Sequence, residues 1–154
     1  MAGTRKEFEI TLRAEGLSMA MRWLNDRVPY RYSAVFRFNG DILHNICLID
    51  KEDPDTSNCP DQPLTESYCM YIRRSRLGFN VEEASLDSRV EGHPKRLTCQ
   101  SYYGIPLYDT NGQMLGTVCH FDRVPVRVTE EIASALDDLG PLIAEAAFRV
   151  KGSE

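Results

Sequence analysis

Two strand-length runs divided by Asn111-Gly112 constrain this chain more than any other feature. SYYGIPLYDT precedes the pair and QMLGTVCHFD follows it. An Asn-Gly step between alternating runs favours a type I′ hairpin, because both central residues of that turn need positive φ. With a two-residue loop, Thr110 pairs with Gln113. Tyr102 then falls opposite Phe121, Gly104 opposite Cys119 and Tyr108 opposite Leu115. Alternation places Tyr102, Pro106, Tyr108, Leu115, Thr117, Cys119 and Phe121 on one face. Tyr103, Ile105, Leu107, Met114, Val118 and His120 take the other, whose aliphatic middle reads as core. The first face mixes aromatics with Thr and Cys and suits a half-polar cavity. A bulge would reverse part of this assignment.

The rest of the chain supports a sheet framed by helices. Residues 1–16 are ambiguous: Phe8, Ile10 and Leu12 alternate as in a strand, yet the charge density suits a helix. Leu17, Met21 (or Ala20), Leu24 and Val28 recur at helical spacing, and Pro29 ends that run. YRYSAVFRF and DILHNICLI flank Asn39-Gly40 as a second hairpin. Asp50 to Gln62 is charged, carries two prolines and must be loop. Thr65 is placed to cap a short helix over 66–74. Residues 77–81 form a short strand candidate, and Asp87 can cap a single turn before Gly92-His93-Pro94. Thr129 opens the last helix, with Glu130 and Glu131 matching its positive N-terminus. Ile132, Leu136, Leu139, Ile143, Ala146 and Val150 mark one helix face, Leu142 and Ala147 widen it, and Pro141 should bend it. The pattern predicts an α+β domain with an antiparallel sheet.

At 154 residues the chain is most simply one domain. Its net charge of −5 and lack of a basic block disfavour nucleic-acid binding. No apolar run approaches the roughly 20 residues needed to span a bilayer, and no secretory signal opens the chain. The expectation is a cytoplasmic protein with no membrane contact. Its 5 cysteines are an odd number without a CxxC pair, which favours reduced thiols over a disulfide framework or a zinc site.

Pro63-Leu64…Ser67-Tyr68-Cys69, Asp87-x-Arg89-Val90-x-Gly92-His93-Pro94, Ser101-Tyr102-Tyr103-Gly104-Ile105-Pro106-Leu107 and Gly116-Thr117-Val118-Cys119-His120-Phe121-Asp122 arrive in an order that resembles GAF domains. The likeness is to the bacterial branch that stands alone or precedes signalling modules. It divides the chain into an extension at 1–16, a domain at 17–150 and a tail at 151–154. It implies a central antiparallel sheet with the terminal helices on one face and a ligand pocket, covered by loops and short helices, on the other. Family ligands are diverse, so the cofactor or ligand stays unknown.

The expected ligand-binding set is Tyr68, Cys69, Asp87, Arg89, His93, Tyr102, Cys119 and Phe121. Arg89 could grip a carboxylate or phosphate through its fork. Equally, Asp87 could cap a turn while Arg89 pairs with an acid. His93 could donate to a ligand or bind haem iron, or be a loop histidine with no special role. Cys119 and His120 are strand neighbours that point to opposite faces, so they do not share a metal. Neither a bilin-attachment setting nor a cyclic-nucleotide signature is present. The expected role is a sensory or regulatory module that binds a small molecule, forms a homodimer through its terminal helices and hands its signal to a downstream partner. The alternative is a thiol enzyme. Free methionine-R-sulfoxide reductases are GAF proteins, and Cys59, Cys69 and Cys99 are similar to their cysteine set. Their carboxylates on the last strand are replaced here by Cys119 and Phe121.

Overall fold

The structure, a computed structural model, describes residues 4–149. Six antiparallel strands form one sheet in the order β3-β2-β1-β6-β5-β4. These are β1 (Tyr32–Asn39), β2 (Ile42–Asp50), β3 (Gln62–Pro63), β4 (Phe79–Val81), β5 (Ser101–Tyr108) and β6 (Met114–Asp122). Helices α1 (Thr4–Glu15), α2 (Leu17–Asn25) and α4 (Glu130–Ala147) cover one face, and α3 (Cys69–Ser75) packs on the other. The ambiguous N-terminal segment is therefore helical, and Phe8 anchors it with no exposed surface. Val28 lies past the end of α2 and is buried with Tyr30 and Ile132. In α4, Thr129 caps the helix by accepting a hydrogen bond from the Ile132 amide at 3.2 Å. Ala146 is only half-buried, and Val150 and the expected tail lie outside the described residues.

The β5–β6 hairpin keeps the expected register at Tyr102–Phe121 and Gly104–Cys119 but reaches it differently. Tyr108 pairs with Met114, and the Asp109 amide donates to the Gln113 carbonyl at 2.9 Å. Three residues make the loop, of which Gly112 alone has positive φ (80°), so the turn is not type I′. The Asp109 carboxylate fixes it by accepting from the Asn111 and Gln113 amides. A bulge at Leu115 then restores the register. Its consequence is a local exchange of faces: Leu115 joins the helix-side core and Met114 the opposite side, the reverse of the sequence expectation. Similarly, Thr65 does not open a helix over 66–74. A single 3-10 turn spans Leu64–Glu66, and α3 begins at Cys69, whose amide is held by the Ser67 hydroxyl at 3.1 Å. The expected strand at 77–81 narrows to Phe79–Val81.

A polar chain crosses the helix-side core. Asn25 donates to Ser33 Oγ at 2.7 Å, leaving the Ser33 hydroxyl proton for His120 Nδ1 at 2.6 Å. Lys51 Nζ donates to Asn25 Oδ1 at 3.0 Å and also to the Asn25 carbonyl. Tyr30 stacks on the His120 ring at 5.5 Å. His120 is 1% exposed, and burial, reinforced by the Lys51 charge, brings its pKa down to about 3. A histidine free to protonate near pH 6.5 when unfolded but neutral when folded gives stability that is present above that pH and lost as pH falls toward the folded value. Denaturant unfolding should lose about 1.4 kcal/mol of stability per pH unit through this group between pH 6.5 and 5. The His120→Asn variant, which keeps an acceptor for Ser33 but cannot titrate, should have a shallower slope. An equal slope in the variant would remove His120 as the cause.

Candidate functional site

On the sheet face opposite the terminal helices lies a cavity of about 640 Å³. Its floor is aromatic because alternation brings Tyr32 and Phe36 of β1, Leu48 of β2, Tyr102 of β5, and Cys119 and Phe121 of β6 to one side. Residues 59–62 and 66–68 form one wall, and Lys95, Thr98 and Cys99 form another. Asp122 and Arg123 close the rim. Tyr32 and Phe121 are paired across β1 and β6 and stack at 4.9 Å with their planes 15° apart. The Arg31 guanidinium lies 4.8 Å over Tyr32 while gripping Asp50 at 2.8 and 3.1 Å.

Of the expected set, Tyr68, Tyr102, Cys119 and Phe121 line this cavity. Tyr68 donates its hydroxyl to the Cys99 carbonyl at 3.0 Å, which ties the wall at 66–68 to the wall at 95–99. Cys69 is not in the cavity lining but packs on the same sheet face beside it, fully buried against the Tyr102 hydroxyl (3.1 Å) and Thr117 (3.2 Å).

Asp87 and Arg89 stand outside the cavity and are occupied with one another. Asp87 caps a 3-10 turn by accepting the Arg89 amide at 3.0 Å, and its second oxygen meets the Arg89 guanidinium at 2.6 Å. The hydrogen bond from Arg89 holds the Asp87 carboxyl below its ordinary range. Arg89 also donates to the Asn80 carbonyl and lies 4.8 Å over the Phe79 ring. His93 packs behind the wall. Its Nδ1 accepts the Lys95 amide at 3.0 Å, so Nε2 carries the proton and donates to the Ser67 carbonyl at 3.2 Å. Its ring rests 4.7 Å from Tyr68, and burial lowers its pKa. These three residues shape the walls without facing the space between them.

Sequence reasoning missed Tyr32, Phe36, Glu66, Lys95 and Arg123. The period-two run Tyr32, Ala34, Phe36, Phe38 was the available signal for the first two, and Arg123 follows Phe121 at the same spacing. Nothing local distinguishes Lys95 from other loop lysines. The charged groups divide by commitment. Asp122 accepts the amides of Arg31 (2.7 Å) and Arg123 (2.6 Å), and Asp61 holds His44 at 2.7 Å. Lys95, Arg123 and Glu66 make no side-chain ion pair among the described residues.

The cavity thiols are poor nucleophiles. Burial pushes Cys99 up to about 12, and burial likewise raises Cys59 despite the nearby Lys95. Cys119 faces the cavity while His120 enters the polar chain on the other face, so they share no ligand. Among the described residues no group of three or more His, Cys, Asp and Glu side chains is arranged to hold a metal, and no helix is long and apolar enough to cross a membrane.

No family model and no curated relative matches this sequence. Solved structures do. The GAF domain of an Acinetobacter phosphoenolpyruvate-protein phosphotransferase superposes with a TM-score of 0.77 at 13% identity, covering 97% of this chain and 94% of that one. Free methionine-R-sulfoxide reductase from Neisseria meningitidis, in complex with its substrate, gives 0.75 at 12% identity over 98% and 90%. The phycocyanobilin-bound GAF domain of a cyanobacterial phytochrome gives 0.70 at 11% identity over 97% and 96%. The chain has the GAF fold, as its motifs led one to expect.

Proposed function

We propose that this chain is a small-molecule-binding regulatory module, acting in the cytoplasm, whose ligand occupies the cavity over the Tyr32–Phe121 stack. The observation that carries the reading is the pairing of an aromatic floor with two uncommitted cations, Lys95 and Arg123. Ligand sites commonly combine apolar walls with a few placed polar groups. The class that fits is a small anionic or zwitterionic metabolite with an apolar portion. Its apolar part lies against Phe121 and Tyr102, its acid meets Arg123 and Lys95, and any ammonium group finds Glu66. Arg89, committed to Asp87, is replaced in this role.

A thermal-shift screen of metabolites should return stabilisers of that class and none that is solely cationic or wholly apolar. A partly desolvated contact from Arg to an anion contributes about 1.5 kcal/mol, so Arg123→Ala should weaken a hit by close to tenfold in calorimetry. Arg89→Ala should leave the affinity unchanged. Loss of binding in Arg89→Ala with none in Arg123→Ala would reverse the assignment.

A second reading, the reductase, is favoured by one observation: Cys59 and Cys99 both line the cavity. Against it, burial raises both thiols and Cys69 does not line the cavity. The protein should not consume free methionine-R-sulfoxide in a coupled thioredoxin assay. Turnover that disappears in Cys69→Ser or Cys99→Ser would replace the sensor reading with the enzyme.

The proposal extends to a homodimer through the terminal helices, from which a bound ligand would signal to a downstream partner by altering the subunit angle. Support comes from Ile10 and Met19, apolar yet 58% and 41% exposed on α1 and α2. Ile143 is fully buried, so substitution there tests folding rather than assembly. Light scattering at micromolar concentration should give a dimer, and Ile10→Glu with Met19→Glu a folded monomer. A monomeric parent protein would end this part of the proposal.

A further inference from the structure

We propose that His93 is the positioning residue of the cavity: with one proton on its ring it sets Lys95 and joins the two walls, and with a second it releases both. The latch stands on its own contacts, while its effect on binding rests on the ligand reading above.

The Gly92-His93-Pro94 run dictates the local geometry. Gly92 turns the chain at φ 82°, and the His93 amide donates to the Val90 carbonyl at 3.0 Å. Pro94 has no amide hydrogen, so the first one after His93 belongs to Lys95, and it reaches His93 Nδ1 at 3.0 Å. Lys95 in turn anchors its wall. Its carbonyl accepts the Cys99 amide at 2.8 Å and the Thr98 amide at 3.1 Å, and all three residues line the cavity. The other ring nitrogen crosses to the opposite wall, where Nε2 donates to the Ser67 carbonyl at 3.2 Å. A second tie, from the Tyr68 hydroxyl to the Cys99 carbonyl at 3.0 Å, joins the same two walls.

These contacts use both nitrogens of a ring that is only 9% exposed. A second proton can go only to Nδ1, whose lone pair the Lys95 amide already occupies. Two donors would then face each other, and the amide must leave. The groups around the ring do not compensate. Tyr68 and Tyr71, with rings at 4.7 and 5.7 Å, present phenols whose pKa burial raises. Asp87 is turned to Arg89, Arg96 to the Ala84 and Ser85 carbonyls, and Glu91 is exposed. No carboxylate pairs with His93 among the described residues. Burial lowers the His93 pKa, with the Ser67 hydrogen bond opposing and the Lys95 charge adding to it. The latch therefore contributes stability that is present above the ordinary histidine value of about 6.5 and is lost as pH falls through the lower folded value.

The test uses the whole chain, isotope-labelled for NMR and titrated between about pH 7.5 and 5. The His93 ring should carry its proton on Nε2 at the upper end. The amides of Met70, Lys95, Thr98 and Cys99 should then shift together with the ring as it takes a second proton. In His93→Asn, which keeps an oxygen for the Lys95 amide but cannot titrate, those amides should hold still; His93→Gln serves if that variant does not fold. Binding is read with anilinonaphthalene sulfonate, an aromatic anion whose charge is constant over this range. Its affinity should fall several-fold more on acidification in the parent than in the variant, a difference in which His44, common to both, cancels. The proposal is overturned by wall amides that ignore the ring, or by a ring that takes no second proton while the chain is folded. An affinity with the same pH dependence in both proteins, or one that rises with acid in the parent, overturns it equally. Absence of dye binding at every pH counts against the ligand reading alone, because the amides still judge the latch.

Discussion

The pairing of β1 with β6 is the contact on which the rest of the structure depends. The two strands come from opposite halves of the chain, and adjacent rungs of their ladder serve different cores. Tyr32 against Phe121 provides the stacked floor of the cavity, while Ser33 against His120 lies in the polar chain that reaches α2 through Asn25. A one-residue slip of β1 on β6 would put Ser33 in the cavity and bury the Tyr32 ring under the helices. The hydrogen-bonding demands of Ser33 and His120 oppose such a slip, because an unpaired polar group in a dry core costs about 1–3 kcal/mol. The polar chain therefore helps to fix the register that builds the site.

How much of this was legible in the sequence depends on distance along the chain. The two hairpins were readable because alternation and turn residues are local, and the Thr129 and Asp87 caps followed from side chains acting within three residues. The errors were local as well. Asn111-Gly112 suggested a two-residue turn, but Asp109 supplies a carboxylate that organises a longer loop, and the bulge at Leu115 absorbs the extra residue. Thr65 resembled a helix cap, yet Ser67 captured the first amide of α3. What the sequence withheld was long-range partnership: no pattern within β1 names β6 as its neighbour.

The candidate site divides along the same line. The place of Tyr102, Cys119 and Phe121 on the cavity side was legible because a strand tells its residues which face to take. Asp87, Arg89 and His93 are loop residues, and their partners decide their direction. Arg89 is 2 residues from Asp87, near enough for a bidentate pair that satisfies both. His93 turns inward because Lys95 and Ser67 offer its two nitrogens an acceptor's and a donor's role. Tyr71 and Phe79, stacked at 4.6 Å, close the same aromatic cluster. Charge in a motif marks a ligand contact only when nothing nearer answers it.

The same reasoning separates the cations at the rim from the thiols below. A thiolate that attacks a substrate needs a cation at close range in a place the substrate can reach. Lys95 lies near Cys59 and Cys99 and does lower both, but desolvation is the larger influence at each. An exposed ammonium is screened by water, so its field reaches the buried sulfurs weakened. Cys69 departs from the trend through neutral hydrogen-bond partners, Tyr102 and Thr117 among them, rather than through a cation, and it has no exposed surface. Among the described residues the arrangement leaves the cations at the rim without a side-chain ion pair and puts Cys59 and Cys99 under the control of burial rather than of those cations.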